Sequence, residues 1–149
     1  MLFSGGVGVT PMIAVLKTIY CLNAAKVPKT RGATRDVYFV WSVKAEEELW
    51  FTDELEAIRA RAAESDGWPN LHLYVHVTKA STVSDPSYMR TGRPDLPAVF
   101  QHCEGTQRSG RVAVYVCGPS AMVDDVWDLS KARSNDTVHY AIHHEVFDF

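Results

Sequence analysis

The stretch "SGGVGVTPM", residues 4–12, decides the fold class of this chain. Its three glycines permit positive φ angles and let backbone amides approach a ligand closely. Thr10 is a good N-cap and Pro11 suits the first helical position, so a helix is predicted to begin here. The positive end of a helix favours an anion, and the turn therefore suits a phosphate. Tight packing between a strand and a helix would also explain the glycines, so both interpretations stay open at this point.

The rest of the chain alternates between predicted strands and helices. Continuous apolar runs predict buried parallel strands, and one alternating run predicts a strand nearer the sheet edge. The predicted strands are a short one from Met1, then residues 37–41, 71–77, 112–117 and 138–147. The predicted helices are residues 11–22, 46–62, 97–102 and 121–132. This order predicts an α/β domain, doubly wound, with a parallel five-stranded Rossmann-like sheet and helices on both faces.

Composition limits the classes of partner. The formal net charge of −3 provides no overall basic field, so nucleic acid is not an expected partner. Uncharged apolar runs stay below the roughly 18 residues of a membrane span, so no direct membrane insertion is predicted. The three cysteines are widely spaced, and the adjacent His143 and His144 point to opposite faces of a strand, so neither a disulfide framework nor a metal site is predicted.

The segments that follow the predicted strands should gather at one edge of the sheet, where doubly wound folds bind ligands. A long segment rich in Ser, Thr, Asp, Pro and Gly, residues 79–96, follows the third predicted strand. Ordered loops of this length are uncommon and are often functional, which predicts a functional role for this one.

Three motifs carry a resemblance to a known family. "GGVGVTPM" at residues 5–12 is followed by "GRPD" at 92–95 and by "CGP" at 117–119, and the C-terminus is aromatic. Together they resemble the NAD(P)-binding half of the ferredoxin–NADP reductase superfamily. The stretch "VYFVWSVKAEEELWFTDEL", residues 37–55, is similar to the branch of membrane ferric reductases and NADPH oxidases. The resemblance implies the ferredoxin reductase NAD(P)-binding type of sheet.

The resemblance also implies roles for individual residues. The group expected around the pyrophosphate is Gly5, Gly6, Gly8, Val9 and Thr10, with Pro11 opening the helix behind them. The group expected beside the nicotinamide is Cys117, Gly118 and Pro119. The thiol of Cys117 would orient the ring for hydride transfer. Phe149 is similar to a terminal aromatic residue that stacks on the flavin. Its alternative role is to finish the hydrophobic edge of a strand together with Phe147.

The preference for NADPH is expected from a few basic residues. Thr78 and Lys79 match the place where the superfamily often has Ser-Arg for the adenosine 2′-phosphate, and Arg93 is similar to a basic partner there. Lys44 is a third candidate cation. NADH stays possible, because a lysine cannot make the planar bidentate contact of an arginine.

Residues 1–149 are therefore interpreted as one NAD(P)H-binding domain. Because the first predicted strand is only about three or four residues long, we expect a fragment cut inside a strand. The resemblance implies that it is a C-terminal fragment whose FAD-binding and membrane haem domains lie upstream in the same chain. The resemblance implies that hydride passes from NADPH to FAD, and electrons onward to haem and then to ferric iron or oxygen. It places this segment at the cytosolic face of a membrane protein, without turnover of its own. The alternatives are a soluble flavoreductase domain and a non-catalytic nucleotide-binding or regulatory module.

Overall fold

The computed structural model describes residues 1–22, 34–64, 67–107 and 110–146. The strands are β1 (Leu2–Gly5), β2 (Asp36–Val43), β3 (Asn70–Val77), β4 (Met89–Thr91), β5 (Gly110–Gly118) and β6 (Val138–Val146). The helices are α1 (Val9–Ile19), α2 (Thr52–Ala62), α3 (Leu96–Thr106) and α4 (Ser120–Arg133). Two short 3₁₀ turns, Gly6–Gly8 and Glu46–Glu48, precede α1 and α2. None of the described helices has both the length and the apolar character needed to cross a bilayer.

All six strands form one parallel sheet in the order β4-β3-β2-β1-β5-β6. The predicted α/β class and parallel doubly wound sheet are confirmed, but the predicted number of five strands is wrong. The additional strand, β4, lies inside the segment 79–96 that was expected to be a loop, and its Met89 pairs with Val75 of β3. Three residues are too few to show a strand periodicity, so the surrounding polar composition masked it.

β1 lies at the centre of the sheet, between β2 and β5. Ser4 pairs with Trp41 on one side and with Cys117 on the other. The chain builds outward from β1 through β2, β3 and β4, then returns to β5 and β6. The carboxyl ends of β1 and β5 therefore form the point where strand order reverses, which is the expected ligand position in such a sheet.

Two apolar layers cover the faces of the sheet. Helices α1 and α2 bury one face around Leu16, Phe39 and Ile58. Helices α3 and α4 bury the other face around Phe3, Phe100 and Val126. These side chains are almost completely buried, so the sheet forms a packed scaffold from which the loops at the strand ends project.

The helix starts differ in detail from those predicted. The N-cap of α1 is Gly8 rather than Thr10, because the turn Gly6–Gly8 already begins to coil before the helix. The hydroxyl of Thr10 instead donates to the carbonyl of Val7 at 3.2 Å. Glu46–Glu48 is a separate turn, and Leu49, at φ −84° and ψ 72°, separates it from α2.

Candidate functional site

A cleft of about 700 Å³ opens at the carboxyl ends of the central strands. It lies between the loop after β1, the ends of β2 and β3, and the start of α4. Most of the residues predicted from the sequence line it. They are Gly5, Gly6, Gly8, Lys44, Thr78, Arg93, Gly118 and Pro119. The strand topology thus brings together segments that are far apart in the sequence, as parallel strand ends should.

Close backbone packing explains three of these glycines. A Cβ on Gly5 would lie 2.5 Å from Cδ of Pro119, and one on Gly118 would lie 2.9 Å from the amide nitrogen of Gly5. A Cβ on Gly8 would overlap the carbonyl group of Cys117. The loop after β1 therefore rests directly on the end of β5, and any larger residue would separate the two walls of the cleft.

Gly6 has a different role from its neighbours. Its φ is +53°, and an added Cβ would meet nothing within 4 Å. Glycine is needed here for the left-handed backbone rather than for space. The conformation turns the chain from β1 into α1 while leaving the cleft side of the loop open.

Trp41 of β2 holds this loop in place. The indole Nε1 of the wholly buried Trp41 donates to the carbonyl of Gly6 at 3.2 Å. The apolar run 37–41 predicts only that Trp41 is buried in a strand. The strand register reveals the additional role, because Trp41 pairs with Ser4, two residues before Gly6.

Two helix N-termini lie at the cleft. The N-cap residues Gly8 of α1 and Pro119 of α4 make no side-chain capping hydrogen bond. Ser120 and Ala121, the first residues of α4, line the cleft beside the glycine loop. The positive ends of two helix dipoles, without a side-chain cap on either, suit a bound anion such as a pyrophosphate.

The predicted cations do not all lie in the same place. Lys44 and Arg93 line the cleft, whereas Lys79 is exposed beside it and is outside its lining. The amide of Lys79 donates to the carbonyl of Lys44 at 3.1 Å, so the backbones of these two lysines are adjacent. Among the ion pairs of the described residues, none includes Lys44, Lys79 or Arg93. Their charges remain available for a ligand.

The other predicted residues lie behind or outside the cleft lining. Val9 and Cys117 are fully buried, and a Cβ on Gly8 would lie 3.2 Å from the Sγ of Cys117. Thr10 is exposed on the first turn of α1, and Pro11 is partly exposed. Phe149, like Phe147, lies outside the described residues.

The "GRPD" segment connects the cleft with α3. Arg93 lines the cleft, and the Asp95 carboxylate accepts the amide of Ala98 at 3.0 Å as the N-cap of α3. The carbonyl of Gly92 accepts a hydrogen bond from Nδ1 of His76 at 3.1 Å. Burial lowers the pKa of His76, the hydrogen bond to Gly92 raises it in part, and nearby Arg90 lowers it further. Gly92 and Asp95, which lie on either side of Arg93 in the sequence, are therefore both fixed by hydrogen bonds.

Sequence reasoning missed two acidic residues of the cleft lining, Glu48 and Asp125 of α4. Glu48, the last residue of the turn Glu46–Glu48, lines the cleft, and its Oε2 accepts the amide of Lys44 at 3.2 Å. Residues 46–48 were predicted only as the start of the helix 46–62. The break after the turn places Glu48 toward the cleft instead.

The fold and the cleft define a dinucleotide-binding α/β domain. Residues 2–128 match the family model described as the oxidoreductase NAD-binding domain, and the chain belongs to that family. The resemblance to the ferredoxin–NADP reductase superfamily is thereby confirmed.

Individual relatives agree with this assignment. The chain is 27% identical over 166 residues to NADPH oxidase 3 of Homo sapiens, covering 97% of this chain and 29% of that protein. It is 27% identical over 134 residues to the toluate 1,2-dioxygenase electron transfer component of Pseudomonas putida, covering 89% of this chain and 33% of that protein. The solved CS-b5R domains of human Ncb5or, in the NAD+ form, share the fold with a TM-score of 0.61 at 18% identity, covering 93% of this chain and 35% of that one. The chain thus spans about a third or less of the length of these proteins.

Proposed function

We propose that this domain binds NADPH, with NADH as a second cofactor, and presents the reduced nicotinamide to FAD held by another domain of the same protein. The observation that carries the proposal is the meeting of Gly5–Gly8 with Gly118 and Pro119 at the strand-order switch point. We further propose a parent protein in which electrons continue to haem and then to oxygen or ferric iron. The relative named NADPH oxidase 3 supports an oxidoreductase that uses NADPH. In such a parent, this domain would lie on the cytosolic face of a membrane.

The residues of the cleft fit a dinucleotide. The glycine walls approach so closely that a Cβ on Gly5 or Gly118 would collide with the opposite wall, and the space beyond them is open to a ligand. The uncapped starts of α1 and α4 would hold the pyrophosphate. Lys44 and Arg93 would pair with the adenosine 2′-phosphate, with Thr78 as a hydroxyl donor and Lys79 at the margin.

When bound, the reduced nicotinamide supplies a hydride and the flavin accepts it. The contribution of this chain is binding and orientation. Gly118 and Pro119 would form the wall beside the nicotinamide, with Cys117 supporting that wall from the core. Phe149 would cover the flavin from the end of the chain and give way to the nicotinamide.

A flavoreductase domain that serves an electron-transfer protein instead of a membrane haem is the second candidate. The relative from Pseudomonas putida, named as an electron transfer component, favours it at an identity equal to that of NADPH oxidase 3. The cleft would work in the same manner in both cases. The two candidates differ in what the upstream part of the protein contains.

The test is a calorimetric titration of this chain with NADPH and with NADH, in low and in moderate salt. Arg93→Ala and Lys44→Ala should each weaken NADPH binding by about fivefold or more, and NADH binding much less, because only NADPH carries the 2′-phosphate. Lys79→Ala should have a smaller effect. Lys131→Ala, at the far end of α4, is the control and should change neither affinity. Absence of binding by either cofactor, both to this chain and to the same domain joined to its flavin domain, would refute the proposal.

A further inference from the structure

Glu48 places a negative charge beside the two cations at the β-strand ends of the cleft, Lys44 and Arg93, whereas the other acid of the cleft lining, Asp125, belongs to α4. The Glu48 carboxylate is fixed, because its Oε2 accepts the Lys44 amide at 3.2 Å. The other two glutamates of the turn have different positions. Glu46 accepts the amide of Ser84 at 2.8 Å, and Glu47 is exposed and outside the cleft lining.

The surroundings of Glu48 are those proposed for the adenosine side of the cofactor. The backbone carbonyl of Lys44 accepts a hydrogen bond from the amide of Lys79 at 3.1 Å, and the carbonyl of Val43 accepts one from the amide of Thr78 at 2.8 Å. The backbone of Lys44 is therefore hydrogen-bonded on one side to the Glu48 carboxylate and on the other to Lys79, which belongs to the segment expected at the 2′-phosphate. No side-chain cation among the described residues forms an ion pair with it.

A carboxylate at such a place can discriminate between a ribose with a free 2′-hydroxyl, as in NADH, and a ribose with a 2′-phosphate, as in NADPH. It accepts hydrogen bonds from hydroxyl groups, and in dinucleotide-binding folds an acid commonly takes the ribose 2′-hydroxyl of NADH. The same charge repels a phosphate, although solvent and salt reduce the repulsion in an open cleft. Glu48 thus acts against Lys44 and Arg93 in the choice of cofactor.

We infer that Glu48 is a specificity-determining residue that limits the preference for NADPH by favouring the free 2′-hydroxyl of NADH. The inference rests on the proposed binding of a nicotinamide dinucleotide in this cleft. At the β-strand ends, the choice between the two cofactors is the balance of Lys44 and Arg93 against Glu48. Removal of the acid therefore makes the domain more selective for NADPH.

A purely structural role for Glu48 makes a different prediction. Glu48→Gln keeps an oxygen that can accept the Lys44 amide and removes only the charge. If the side chain merely fixes the turn, the glutamine variant should bind both cofactors as the native chain does. Glu47→Gln is the matched control, since it makes the same change of charge one residue away and outside the cleft lining.

The experiment measures the Kd of NADPH and of NADH for the native chain, Glu48→Gln and Glu47→Gln. A parallel pair of probes, 2′,5′-ADP and 5′-ADP, isolates the adenosine side. In Glu48→Gln the preference for the 2′-phosphorylated partner of each pair should rise by about fivefold, and 0.5 M salt should reduce that gain. Glu47→Gln should stay within about twofold of the native preference.

Each contrary result has a separate meaning. An unchanged preference in Glu48→Gln, with native binding intact, overturns the role of Glu48 and leaves the proposed function standing. An equal rise in Glu47→Gln also overturns it, because the effect would then follow net charge alone. If the native chain binds none of the four probes, with or without its flavin domain, the proposed function fails and this inference fails with it.

Discussion

The indole nitrogen of Trp41 donates a hydrogen bond to the carbonyl oxygen of Gly6 across 3.2 Å. One partner is a wholly buried residue near the end of β2, and the other is the left-handed residue of the loop that follows β1. The strand next to the loop therefore restrains its conformation. This contact links the rigidity of the core to the shape of the proposed pyrophosphate site.

Replacement of Trp41 tests this link. Trp41→Phe keeps an aromatic ring in the core but removes the N–H donor and leaves a space, so we expect a loss of about 2 kcal/mol in the free energy of unfolding. We also expect the affinity for NADPH to fall several-fold, because the loop loses its restraint. Urea unfolding and calorimetric titration measure the two effects.

Trp50 provides the control for that experiment, since its side chain is 58% exposed. Trp50→Phe should change the free energy of unfolding by less than about 0.5 kcal/mol and leave binding unaltered. A Trp41→Phe variant that is destabilised but binds NADPH with native affinity would show that the hydrogen bond does not shape the site.

Gly8 should tolerate no side chain. In Gly8→Ala the new methyl group would overlap the Cys117 carbonyl, and backbone must move to accommodate it. We expect a destabilisation of about 3 kcal/mol or a failure to fold. Gly105, in α3 with open space around it, is the matched control, and Gly105→Ala should raise stability by about 0.5–1 kcal/mol. Thermal unfolding of both variants decides the matter, and similar melting temperatures for the two would contradict the packing argument.

The architecture could be predicted from sequence because two central strands carry continuous apolar runs. Residues 37–41 and 112–117 are continuous apolar runs, and in the structure they lie within β2 and β5. β4 was missed because three residues pairing at an edge leave no pattern of their own. Its formation depends on Met89 meeting Val75, which is a tertiary contact.

The candidate site could be predicted in outline for a related reason. Loops after parallel strands gather at one edge, so Gly5 and Pro119 could be placed together without coordinates. The roles of Trp41 and Glu48 could not be predicted. Trp41 reaches Gly6 through the register of two strands, and Glu48 faces the cleft because the backbone at Leu49 leaves the helical region.

Asp95 of the "GRPD" segment should contribute to stability rather than to cofactor contact. Its carboxylate caps α3 through the amide of Ala98, and Asp95→Ala should lower the free energy of unfolding by about 1 kcal/mol. Asp95→Asn, which keeps a capping oxygen, should recover most of that loss. Unfolding in urea compares the two variants. An asparagine variant as unstable as the alanine variant would mean that charge, and not the capping hydrogen bond, is what matters at this position.

Acidification should destabilise the fold through His76. Burial lowers the pKa of His76 below its ordinary value of 6.5, and the hydrogen bond to Gly92 offsets this only in part. As pH falls through about 6.5, the unfolded chain takes up a proton on this histidine while the folded chain resists, so His76 makes the fold less stable toward acid.

His76→Gln should therefore reduce the loss of stability between pH 7.5 and pH 5.5. Urea unfolding at both pH values gives, for each protein, the free energy of unfolding that is lost between pH 7.5 and pH 5.5. The quantity to compare is the difference between the loss in the native chain and the loss in the variant. The constant cost of altered packing cancels in that difference. Parallel pH dependence of stability in the two proteins would show that His76 does not carry this linkage.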